Sequence, residues 1–166
     1  MLELEAIGWN SILDPQRIRV DKGLVESRVT IKKAKNIVVK YQERTNALLH
    51  NNARVQIESL NRITTLKQEA LSGFDRGMEK ARTQIDSMWA LEGKVVTEFE
   101  NIINLLSTRN GAWVVQGNQI LFYNDSDLNK FNSYISSIQD LVNKQQQFQK
   151  QSIETVNNNF QQTETN

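Results

Sequence analysis

Asp125, Asp127 and Asn129 alternate in "NDSDLN", the spacing with which oxygen ligands open a calcium-binding loop. Such a loop turns on Gly at its sixth position and closes on a bidentate Glu at its twelfth. Lys130 and Ser136 stand there instead. The same polar residues serve as a helix cap and as helix-start charges, so no metal site is expected. His50 is the only histidine and there is no cysteine. A zinc site, a disulfide, a thiol nucleophile and a Ser–His–Asp set therefore lack candidates. No acid–base or nucleophile set can be assembled, so no catalytic residue and no cofactor is expected.

Charge is divided unevenly along the chain. Residues 15–50 hold nine basic and three acidic side chains, while the whole chain sums to only +1. On a helical wheel Arg28, Lys32 and Lys35 fall on one flank of the apolar seam, and Lys22, Lys33, Lys40 and Arg44 on the other. Flanking cations of this kind pair with acids on neighbouring helices, and Asp86, Glu92, Glu98 and Glu100 are available. Aromatic residues do not interleave with the cations, as single-stranded nucleic acid would require. Nucleic acid is thus an unfavoured partner.

The candidate binding residues lie in one apolar stretch, "GAWVVQGNQILFYND" (residues 111–125). Gly117-Asn118 suits a two-residue type II′ turn. That turn pairs Gln116 with Gln119, Val115 with Ile120, Val114 with Leu121, Trp113 with Phe122 and Ala112 with Tyr123. Alternation then places Trp113, Val115, Ile120 and Phe122 on one face and Ala112, Val114, Leu121 and Tyr123 on the other. A two-stranded hairpin is marginal in water, and both faces of this one are apolar. One face can close the end of a helical bundle. The other wants the N-terminal arm, a second copy, another protein or lipid. Trp113, Val114, Val115, Ile120, Leu121, Phe122 and Tyr123 are accordingly the predicted partner-binding set.

The elements that position the hairpin are helical. One Pro and seven Gly in 166 residues leave few obligatory breaks. Residues 1–14 read as an arm or short helix. Asp14-Pro15 caps and opens a helix. A heptad seam through Val20, Leu24, Ser27, Ile31, Ala34, Val38, Tyr41, Thr45, Leu48, Asn52 and Val55 is apolar at eight of eleven positions. A second seam runs from Ile57 to Leu106 in a register offset by two residues and is apolar at twelve of fifteen. Standard coiled-coil discontinuities insert three or four residues, so a turn is placed near Asn51, with Gly73 as the rival position. Arg109-Asn110-Gly111 ends the second helix. A last helix spans 126–156, and residues 157–166 form a mobile tail.

These readings give an all-α fold: an elongated antiparallel helical bundle or coiled coil of three main helices (15–50, 53–108, 126–156) with one inserted β-hairpin (112–123), all one domain. The expected function is non-enzymatic protein–protein interaction, by a helical adaptor, chaperone or structural subunit. Small helical proteins of bacterial secretion and phage assemblies have a similar shape. The alternative is a membrane-active protein with the hairpin as a tongue, which resembles the general plan of some helical pore-forming toxins. Glu3, Glu5 and the absence of a basic residue before Arg17 are wrong for a signal peptide, and no run approaches the apolar length of a membrane span. The expected compartment is the cytoplasm, or the outside by a route that needs no signal peptide.

Overall fold

The computed structural model describes residues 2–48, 55, 58–59 and 64–164. The elements are α1 (Leu2–Ala6), α2 (Pro15–Val20), α3 (Val25–Ala47), α4 (Thr64–Thr108), β1 (Trp113–Gln116), β2 (Gln119–Phe122) and α5 (Asp125–Glu164). Short 3-10 turns at Trp9–Ser11 and Lys22–Leu24 join the first helices. His50 and the turn expected near Asn51 lie outside the described residues. The rival break at Gly73 is absent, because α4 runs through Gly73 and Gly77 as one helix of 45 residues, about 68 Å long. The last helix extends past Val156 to Glu164.

Helix α4 is the spine. Helices α3 and α5 both pack on it and meet each other little. Side-chain bonds fix the directions. Arg28 reaches Ser107 and Lys35 reaches Glu100, while Ser137 reaches Glu98 and Arg109 reaches Asp127. Numbers rise on one helix as they fall on the other, so both neighbours run antiparallel to α4.

One expected helix is broken. The seam reading carries a single helix from Pro15 to His50, whereas α2 stops at Val20 and α3 starts at Val25. Asp14 opens α2 as expected, accepting from the Gln16 and Arg17 amides at 2.8 and 3.0 Å. The break is made at Gly23, whose φ of 71° is left-handed. Leu24 follows with φ 55°, which costs a residue with a Cβ about 1 kcal/mol. Its side chain is only 2% exposed, and burying a leucine contributes about 2 kcal/mol, so the strain is held. Asp21 spans the turn. Its carboxylate accepts from the Glu26 and Ser27 amides and from the Ser27 hydroxyl at 2.7–3.0 Å. Burial would raise the Asp21 pKa, but these bonds and the nearby Arg17 outweigh it and hold the carboxyl below its usual value.

The break rotates α2 against α3, and the seam changes accordingly. Val20, an expected core position, is 70% exposed. Leu24, Ser27, Ile31, Ala34 and Val38 are buried as expected, whereas Leu48 and Val55 are exposed. The main core gathers Ile12, Ile18, Leu24, Ile31, Val96, Ile102, Ile103 and Leu106 at the hairpin end. A smaller cluster of Leu91, Val95 and Leu141 lies further along α4. Before Leu91, none of the described residues of α4 is buried, and Leu71, Phe74, Met78, Ile85 and Met88 are half-exposed. The N-terminal arm is pinned at both levels. Trp9 meets Phe99 edge-on at 4.8 Å between centroids, and Arg17 donates to the Gly8 carbonyl and to Thr30.

The acids and bases pair only in part as expected. Lys35 meets Glu100 at 2.6 Å, an exposed pair worth about 0.5 kcal/mol. Lys40 turns instead to Glu3 of α1 at 2.8 Å, and Asp86 pairs with Arg82 on its own helix. Glu98 accepts from Asn101 and Ser137.

Among the described residues Glu92 makes no ion pair. It borders a cavity of about 190 Å³ with Tyr41 and Trp89, and burial raises its pKa above the ordinary 4.5, an effect that Gln145 only tempers. Among the described residues the buried Gln145 Nε2 has no partner within hydrogen-bonding geometry. A carboxyl that holds its proton more tightly in the folded state destabilises the fold once ionised. The penalty is absent below the unfolded value of 4.5, grows as pH rises through it, and is complete above the folded pKa. Glu92→Gln is therefore expected to raise the melting temperature at pH 7 by about 1–3 °C. The gain should vanish in a melt below pH 4, and an equal gain at both pH values would show that the carboxylate's charge is not the cause.

Candidate functional site

The hairpin forms in the register its turn dictates. Gly117 supplies φ +58° at the first central position, and the pairs are Trp113–Phe122, Val114–Leu121, Val115–Ile120 and Gln116–Gln119. The Tyr123 amide adds a bond to the Ala112 carbonyl at 2.9 Å. Gln16 of α2 anchors the tip by donating to the Gly117 carbonyl at 2.6 Å.

The base is tied to the ends of the two flanking helices. Trp113 Nε1 donates to the Leu106 carbonyl at 2.7 Å, satisfying an acceptor that the end of α4 would leave open. Asn124 caps α5, since its side-chain oxygen accepts from the Asp127 amide at 2.8 Å and its amide nitrogen donates back to the carboxylate. Arg109 donates from Nε to both Asp127 oxygens at 2.9 Å. Asp127 is fully buried, and the bond from Asn124, then Arg109, hold its carboxyl below the usual value. The carboxylate that resembled a calcium ligand is thus committed to a helix start. The Arg109–Asp127 bridge has no motif; its only sequence signal is an Arg closing one helix and an Asp opening the next.

The seven predicted binding residues divide between the two faces. Trp113, Val115, Ile120 and Phe122 turn inward, half-buried against the main core. Phe122 packs at a tilt on Phe131 of α5, 5.3 Å between centroids. Val114 and Leu121 are each 38% exposed and Tyr123 is 69% exposed. The chain therefore covers one apolar face with its own core and leaves the other open.

Beside β1 lies a cleft of about 520 Å³. Its apolar wall includes Ile18, Leu24 and Leu106, and Arg19 and Lys22 stand on its rim. Among the described residues, no group of three or more His, Asp or Glu side chains is placed to hold a metal ion. No described helix is long and apolar enough to cross a membrane. Comparison with protein-family models, curated proteins and solved structures returns no match.

Proposed function

We propose that this protein is a non-enzymatic interaction module, a helical adaptor, chaperone or structural subunit of a larger assembly, which docks a protein partner on the open face of its hairpin. The observation that carries the reading is the exposure of Val114, Leu121 and Tyr123 on a hairpin whose other face is built into the core. Contiguous exposed apolar surface at a rigid element marks interaction sites. The shifted titratable groups have structural surroundings: Glu3 with Lys40, Asp21 in its turn, Asp127 with Arg109, and Glu92 in the helix seam. A three-helix coiled coil continuing along the far half of α4, and work in the cytoplasm, belong to the same reading. A membrane tongue is less well supported. Insertion would have to withdraw Trp113, Val115, Ile120 and Phe122 from the core they help to form.

The test is Leu121→Ser combined with Tyr123→Ser, followed by light scattering and a pull-down from the native host. The double variant is expected to melt within about 3 °C of the parent, since exposed positions shift stability little, and to lose its partner or its self-association. A monomer whose captured proteins are unchanged by the double variant would overturn the reading.

A further inference from the structure

We propose that the outer edge of β1 accepts an extended, acidic segment of a partner polypeptide as a third strand, seated in the cleft between β1 and the turn at Asp21–Leu24. This rests on the interaction-module reading and specifies the class of partner.

The first ground is the backbone. The bond from the Tyr123 amide to the Ala112 carbonyl marks that pair as hydrogen-bonded, and such pairs alternate along an antiparallel ladder. Val114–Leu121 and Gln116–Gln119 are then bonded pairs. The main-chain groups of Trp113 and Val115 must point away from β2. No hydrogen bond within the described residues uses them. An edge of this kind recruits strands, and strand addition is a recurrent mode of peptide recognition.

The second ground is the space beside that edge. The cleft is lined by Trp113, Val114 and Val115 on one side and by the chain from Ile18 to Leu24 on the other. Ile18, Leu24 and Leu106 close the floor of the cleft, and the accessible parts of Trp113, Val114 and Val115 offer apolar surface to an added strand. Helix α2 bonds the hairpin at its tip, through Gln16 and Gly117, and the cleft opens nearer the base.

The third ground is charge. The side chains of Arg19 and Lys22 on the rim make no ion pair or hydrogen bond within the described residues. Asp21 is the one carboxylate among the lining residues, and it is buried and engaged with the amides of Glu26 and Ser27. Two cations without counter-charge beside an open strand edge favour an acidic occupant. A second copy of this chain, paired β1 to β1 about a two-fold axis, would bring both sets of Arg19 and Lys22 together, which is repulsive.

The experiment selects random octapeptides displayed on phage against the full chain, then measures synthetic versions of the best binders. Selected peptides should alternate Val, Ile or Thr with Asp or Glu. Methylating single peptide-bond nitrogens should weaken binding by about tenfold or more at every second residue and by less than about twofold between them. Arg19→Glu with Lys22→Glu should weaken binding by about tenfold. The inference is overturned if no peptide is selected, if methylation has no alternating pattern, or if the charge-reversed protein binds equally well. The Leu121→Ser, Tyr123→Ser variant separates the two proposals. Peptide failure with a partner still lost in that variant overturns strand addition alone. Peptide binding with a partner list that ignores the variant overturns the outer-face reading alone.

Discussion

Leu106→Ala is expected to destabilise the protein by about 3 kcal/mol, within the range for emptying a fully buried leucine site. Leu106 is 0% exposed. It sits where the N-terminal arm, α3, α4 and the hairpin share one core, so no single element can move to fill the space. For a chain of this length the loss corresponds to about 6–12 °C in melting temperature. Leu66→Ala is the control. Leu66 is on the same helix but 53% exposed, and its replacement should cost less than about 0.5 kcal/mol. Urea unfolding of the two variants reads the difference directly. Equal shifts would mean that stability is spread along α4 rather than concentrated at the hairpin end.

Trp113→Ala should cost nearly as much, about 3 kcal/mol, and for two separable reasons. The ring contributes packing on the inner face, and Nε1 satisfies the Leu106 carbonyl at the end of α4. Trp113→Phe keeps most of the volume and loses the bond, so it should cost about 1 kcal/mol. Val114→Ser changes the adjacent residue on the opposite face and should stay within about 0.5 kcal/mol. The expected order is Trp113→Ala, Trp113→Phe, Val114→Ser. A Val114→Ser loss as large as that of Trp113→Ala would reverse the assignment of faces. The order also decides how docking is tested: inner-face variants report on the fold, outer-face variants on binding.

The hairpin was legible because its information is local. A two-residue turn sets the register, and alternation then sorts the side chains by face. Which face turns inward was not legible, since both are apolar. The end of α4 decides it, through the Leu106 carbonyl that Trp113 reaches. The helix start at Pro15 was legible for the same local reason. The break at Gly23 was missed although "VDKGL" carries an Asp and a Gly of the kind that make turns. Val20, Leu24 and Ser27 fit a heptad across it, and periodicity cannot sense a left-handed residue between two apolar ones. The cleft was invisible in the sequence, because it exists only where that break faces the start of β1. The buried state of Asp127 depends on Arg109 crossing from another helix, a contact no spacing rule announces.

The way the hairpin is tied at its base and at its tip has a consequence for the order of folding. The base bonds span short stretches of chain: Trp113 to Leu106 is seven residues and Arg109 to Asp127 eighteen. The tip and the third helix close much longer loops, 101 residues from Gln16 to Gly117 and 65 from Lys35 to Glu100. Loop-closure entropy favours the short ones first. The end of α4, the hairpin and the start of α5 should form an early nucleus, onto which α3 and the N-terminal arm dock last. Pulse-labelled hydrogen exchange would then protect the Val114 and Leu121 amides before that of Ile31, and the opposite order would place the nucleus in α3.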